Sequence, residues 1–110
     1  MAVYDIRIPD TSRLDQAGQF ALDSRGPEGI AAELQDALRG TALFERWRQT
    51  QEEPDEVDPA LGAVDAQTTV TGRQRNLGVD LVVTTTIPGD LLRHRLGLLA
   101  GKAWELRDVR

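Results

Sequence analysis

The sequence predicts an α+β domain: a ferredoxin-like βαββαβ two-layer sandwich, in which a four-stranded antiparallel sheet carries two helices on one face. Three observations support this prediction. Two segments alternate apolar and polar residues, two others repeat apolar residues at helical spacing, and two weaker strand segments complete the order strand, helix, strand, strand, helix, strand. Right-handed connections between parallel strands then place the first and third strands, which have the most apolar faces, in the centre of the sheet.

The strongest strand and helix signals are adjacent, in residues 78–101. The apolar positions of the strand alternate with more polar ones, which indicates a strand with one buried face; they are Val79, Leu81, Val83, Thr85 and Ile87. Pro88 and Gly89 then end the strand, because proline lacks the N–H that a sheet requires. Leucines recur every three or four residues after this turn, and Gly101 is placed to end the helix.

The first half of the chain contains one strand and one long helix. Residues 3–8 alternate as a strand, and residues 10–26 are expected to form an irregular connection with one helical turn at most. Pro27 suits the first position of a helix, since its missing N–H would be unpaired there in any case. Gly40 is placed to end or kink this helix, and Thr41 could cap its continuation through Phe44 and Trp47, which gives one long helix bent at Gly40.

The second half begins with an acidic surface loop at about 50–64, which is expected to be mobile because its carboxylates repel one another. Residues 66–75 then favour an edge strand, which the turn at Asn76-Leu77-Gly78 joins to the central strand as a hairpin. A second edge strand is expected over residues 102–109, with Trp104 facing the core.

Composition places residues 1–110 in one domain. Hydrophobic residues make up 40% and charged residues 28%, as in ordinary globular proteins. There is no cysteine, and neither a signal peptide nor an apolar span of membrane length is present, so we expect a soluble cytoplasmic protein without a membrane partner. Lys102 is the only lysine among 13 basic residues, a bias typical of bacterial-type proteins from GC-rich genomes.

The net charge of −5 is unevenly distributed along the chain. Residues 1–65 carry 14 acidic and 6 basic groups, a net charge of −8. Residues 66–110 carry 4 acidic and 7 basic groups, a net charge of +3. Two copies in antiparallel arrangement could therefore complement each other's charge.

The sequence identifies no catalytic residue, metal site or cofactor. His94 is the only histidine, so the usual histidine and cysteine spacings of metal sites do not occur. Asp90 lies four residues before His94 on the same helix, within hydrogen-bonding reach. This pair and the neighbouring arginines form a candidate anion-binding or surface site, which comprises Arg73, Arg75, Asp90, Arg93, His94 and Arg95.

Nucleic-acid binding is not expected. RNA-binding domains of related topology stack bases on aromatic residues of the two central strands. The corresponding outward positions here contain no aromatic residue; they are Val3, Asp5, Arg7, Asp80, Val82, Thr84 and Thr86. The acidic net charge also disfavours binding to a polyanion.

Two functional hypotheses follow. The favoured one is a non-catalytic interaction or assembly module that associates with a protein partner or with a second copy as a homodimer. Its candidate interface is Val3, Val82 and Thr84 on the open face of the sheet, with the edge strand at residues 68–72 as a further pairing site. The alternative is a small enzyme or anion-binding protein that uses Asp90, Arg93, His94 and Arg95.

Overall fold

The computed structural model describes all 110 residues and has an α+β architecture with one four-stranded antiparallel sheet. The strands are β1 (Ala2–Ile8), β2 (Thr69–Arg75), β3 (Gly78–Thr85) and β4 (Glu105–Val109). The helices are α1 (Pro27–Arg39), α2 (Ala42–Arg48) and α3 (Gly89–Ala100). Short 3₁₀ segments occupy Thr11–Ala17, Pro54–Glu56 and Pro59–Gly62. The predicted α+β class with a four-stranded antiparallel sheet is confirmed.

The strand order in the sheet is β2-β3-β1-β4, so β1 and β3 lie in the centre. β1 pairs with β3 along its whole length, from Ala2 opposite Thr85 to Ile8 opposite Val79. The pairing of β1 with β4 shifts register between Asp5 and Ile6, which is the mark of a bulge.

One hydrophobic core joins the inward side chains of the central strands to those of α1 and α3. The residues predicted for it from their spacing are all buried, with one exception; the buried ones are Ile6, Ile30, Leu34, Leu38, Leu81, Val83, Ile87, Leu92, Leu96 and Leu99. The exception, Trp104, is only partly buried and packs against the edge of this core.

The hairpin between β2 and β3 forms as predicted, with Arg75 paired to Gly78 across a two-residue turn. Asn76 has a φ of +56°, a conformation that asparagine tolerates better than most residues. Gly78 is required by close packing, because a Cβ atom there would lie 2.3 Å from the carbonyl oxygen of Ile8.

The predicted long helix is in fact two helices. Gly40 has extended backbone angles, with φ −135° and ψ 174°, so the chain leaves α1 and begins α2 in a new direction. Thr41 adopts helical angles itself and makes no side-chain cap. Of the two outcomes expected at Gly40, an end or a kink, the structure has the end, because extended backbone angles terminate a helix and do not curve it.

Segments expected to be irregular contain more local structure than the sequence predicts. Asp10 accepts hydrogen bonds from the backbone N–H and the hydroxyl of Ser12, which starts the 3₁₀ segment Thr11–Ala17 and brings Leu14 into the core. The acidic loop contains two 3₁₀ turns that begin at Pro54 and Pro59. Both edge strands start three residues later than expected, at Thr69 and Glu105.

Candidate functional site

The outer face of the sheet, defined here as the side of β1 and β3 that points away from the core, carries the candidate interface. Val3 lies directly opposite Thr84, and Val82 lies opposite Asp5 on β1 and Thr71 on β2. Val82 is 37% exposed, whereas its neighbours Leu81 and Val83 are buried. The structure therefore brings the three candidate interface residues, Val3, Val82 and Thr84, into one patch.

An ion-pair network fixes one side of this patch. Asp80 accepts hydrogen bonds from Arg7 on β1 at 2.9 Å and from Arg75 on β2 at 2.7 Å. Hydrogen bonding from Arg75 holds the pKa of the Asp80 carboxyl below its usual value, with Arg7 contributing and partial burial opposing. The same contact raises the pKa of Arg75. Three neighbouring strands are thus joined through charged side chains whose positions are defined.

The opposite side of the patch has further ion pairs. Arg110 contacts Asp5 at 2.7 Å, and Arg107 contacts Glu105 at 2.9 Å. Asp108 on β4 lies opposite Asp5 on β1. A shallow depression of about 250 Å³ connects the two sides, with Val82 and Arg107 in its lining. The unbalanced positive charge of this face is thus on β2, with Arg73 and Arg75, whereas β1 and β4 carry carboxylates and arginines together.

The outer edge of β2 is occupied by side chains from α1. Gln35 accepts a hydrogen bond from the backbone N–H of Val70 at 3.0 Å, and Arg39 donates one to the carbonyl of Thr68 at 2.7 Å. These two backbone groups belong to the edge that would otherwise pair with another strand. Strand pairing between copies at residues 68–70 would have to displace both side chains, which corrects the sequence-based expectation for this edge.

The six residues of the candidate anion site do not form one cluster. Arg73 and Arg75 lie on β2 in the alternate positions that face away from the core. The other four residues are on α3, whose leucines pack into the core on the other side of the sheet. Arg93 is exposed and its guanidinium lies 5.9 Å from the centre of the Trp104 ring.

Arg95 is the largest fully buried side chain of the protein, with 1% exposure. Its guanidinium donates a 2.8 Å hydrogen bond to the carbonyl of Ala37 in α1, and hydrogen bonds to the carbonyls of Leu61 (3.0 Å) and Ala63. No carboxylate pairs with it, and burial lowers its pKa. Arg95 therefore ties the end of the acidic loop to α1 through its two terminal nitrogens, while its buried Nε–H has no hydrogen-bond partner.

The position of Arg95 could have been deduced from spacing. It follows Leu92 by three residues and precedes Leu99 by four, which places all three on one side of a helix. An arginine within an apolar stripe is expected to be buried or to cover the core with its stem.

His94 is half-buried and contacts Trp47 of α2 edge to face, with ring centroids 4.5 Å apart. Its Nδ1 atom is buried without a hydrogen-bond partner, so it is not bonded to Asp90, which is exposed. Burial lowers the pKa of His94, with the nearby Arg95 charge as a smaller cause. This histidine connects α3 to α2 as a neutral ring at neutral pH.

No group of three or more histidine, aspartate or glutamate side chains is arranged to hold a metal ion. None of the helices is both long and apolar enough to cross a membrane. No protein-family model, curated protein or solved structure matches the chain. Any function must therefore be argued from the surfaces described above.

Proposed function

We propose that this protein is a non-catalytic interaction module that associates with a second copy of itself through the outer face of its sheet. The observation that carries the proposal is the patch of Val3, Val82 and Thr84, which lies at the centre of the sheet between two groups of ordered charges. Apolar groups surrounded by a polar rim are typical of interfaces that form between folded partners.

The charge distribution on the outer face is suited to a two-fold symmetric dimer. In such a dimer the same surface meets itself, so it must be self-complementary. If the two-fold axis runs along the strands, β2 of one copy covers β4 of the other. Arg73, which is level with Glu105 in the strand register, would then face Glu105 of the other copy, and opposite charges in register favour one orientation.

The ferredoxin-like βαββαβ arrangement of the fold is part of this proposal. A ferredoxin-like βαββαβ arrangement with α1 and α3 together on one face would leave the outer face uncovered. The central positions of β1 and β3 and the shared core of both helices support this arrangement. A cytoplasmic location also stays a prediction, made from the sequence alone.

Analytical ultracentrifugation of the wild-type chain and two variants tests the proposal. We expect a dimer that Val82→Glu converts into a folded monomer, because the new carboxylate would be buried at the interface without a partner. Leu77→Glu is the matched control: it also replaces an exposed apolar residue, 75% exposed at the hairpin turn, and should remain dimeric.

The dependence of association on salt separates the contribution of the apolar patch from that of the facing charges. Raising the ionic strength from about 0.05 to 0.5 M should weaken association if the facing charges contribute, because screening then acts within a few ångströms. A wild-type chain that stays monomeric at about 1 mM, a concentration that would reveal binding of about −4 kcal/mol, would refute the proposal.

The alternative of a small enzyme or anion-binding protein at Asp90, Arg93, His94 and Arg95 has less support. Arg95 directs its donors at three backbone carbonyls, and the ring of His94 packs on Trp47. Only Arg93 and Asp90 are exposed on that part of the helix.

A further inference from the structure

A cleft lies where Thr11–Ala17 meets the end of α3. Its main cavity has a volume of about 310 Å³, and its charged lining residues are Arg13 and Lys102, with Gln16 beside them. A second cavity of about 190 Å³ shares Arg13 and Lys102 and adds Trp104, Asp10 and Glu105. Two cations thus line both cavities, and an aromatic ring lines the smaller one.

The two cations of this cleft are not neutralised by an ion pair. The salt bridges of the structure involve neither Arg13 nor Lys102. The two carboxylates nearby are already engaged, since Asp10 accepts two hydrogen bonds from Ser12 and Glu105 pairs with Arg107. The Ser12 hydrogen bonds, aided by the Arg13 charge, lower the pKa of Asp10.

The carbonyls at the end of α3 would repel an anion if they were all free, but internal donors occupy those of Gly97, Leu99, Ala100 and Gly101. Leu22 donates its N–H to the carbonyl of Leu99, and Ala103 donates to that of Ala100. The indole N–H of Trp104 donates to the carbonyl of Gly101 at 3.0 Å. The negative end of the helix dipole is thereby reduced at the point where the cleft opens.

The walls of the cleft are held firmly. Leu14 anchors the 3₁₀ segment in the core with no exposed surface. A Cβ atom on Gly101, which has a φ of +58°, would lie 3.1 Å from the Cα atom of Ala17, so the two walls are in close contact. The backbone that carries Arg13 and Lys102 is therefore held in place on both sides of the cleft.

We propose that this cleft binds a small phosphorylated molecule, with the phosphate between Arg13 and Lys102 and the attached organic group against Trp104. A guanidinium can bind phosphate through two parallel hydrogen bonds, and an ammonium adds a compact charge. The cavity volume is near the lower limit for small-molecule sites, which suits a phosphate with a single ring attached.

Binding can be measured by NMR titration of the ¹⁵N-labelled chain at constant ionic strength with inorganic phosphate, adenosine monophosphate and adenosine. Inorganic phosphate should shift the amides of Arg13 and Lys102 saturably below about 10 mM, a range that covers millimolar dissociation constants. Adenosine monophosphate should bind more tightly and shift the indole N–H of Trp104 as well. Adenosine alone should have no effect.

Lys102→Gln and Arg13→Gln should each weaken phosphate binding about tenfold or more, the loss expected for one charge-assisted hydrogen bond. Arg46→Gln is the control, because it removes an exposed arginine of α2 that lines neither cavity of the cleft. The spectra themselves report whether each variant is folded. The absence of saturable shifts, an equal loss in Arg46→Gln, or equal binding of adenosine would each overturn the proposal.

Discussion

Arg95→Met tests whether a buried arginine without a carboxylate partner stabilises this protein. Methionine keeps most of the unbranched stem but removes the donors to Ala37, Leu61 and Ala63. A buried carbonyl left unpaired costs about 1–3 kcal/mol. The carbonyls of Leu61 and Ala63 lie in half-buried residues and can regain water if the loop moves, whereas that of Ala37 lies in a buried residue.

We therefore expect Arg95→Met to lower the free energy of unfolding by about 1–3 kcal/mol, dominated by the Ala37 carbonyl. Urea unfolding would measure this loss, and hydrogen exchange would locate it. Amides at residues 60–64 should exchange faster in the variant, since Arg95 ties Leu61 and Ala63 to α1. Exchange across residues 51–58 should change little.

Arg93→Met is the matched control on the same helix. Arg93 is exposed and contacts only the Trp104 ring in the interactions described, so its replacement should change stability by less than about 0.5 kcal/mol. An Arg95→Met variant as stable as wild type, or more stable, would refute the argument. It would mean that burying the guanidinium costs as much as its hydrogen bonds contribute.

Three further predictions concern pH, the sheet edge and the core. The pKa of His94 is lowered in the folded state, so the unfolded chain binds the proton more readily. The free energy of unfolding should therefore fall as the pH drops below about 6.5. His94→Gln should remove this dependence on pH when urea unfolding is measured between about pH 5 and 7.5. Gln35→Ala should leave the N–H of Val70 without a partner at the edge of β2 and lower the free energy of unfolding by about 0.5–1.5 kcal/mol. Light scattering should also show faster aggregation, because an unpaired strand edge can pair with another chain. Ala32→Gln, on the exposed side of α1, is the control and should change neither stability nor aggregation. Leu81→Ala should cost about 2–5 kcal/mol in urea unfolding because the site is buried, and a loss below about 0.5 kcal/mol would contradict the central position of β3.

The elements whose signals are local follow from the sequence alone. Alternation in β1 and β3, Pro27 at the start of α1 and the turn at Asn76 each depend on a few adjacent residues, and the structure has all of them. The core residues follow from the same periodicity, since a side chain's direction repeats every two residues in a strand and about every 3.6 in a helix. The candidate interface of Val3, Val82 and Thr84 could be predicted for that reason.

Which polar groups meet depends on the tertiary structure. Two examples are the hydrogen bonds of Arg95 to Ala37 and Leu61 and that of Val70 to Gln35, which join segments distant in sequence. The position of Arg13 and Lys102 in the lining of one cleft is a third. No local pattern encodes these contacts, because each depends on the angle at which two packed elements cross and on which partner satisfies a buried backbone group. The separation of Arg73 and Arg75 from the basic residues of α3 has the same origin. The two groups have the same charge, but they lie on opposite faces of the sheet, which the sequence pattern does not reveal.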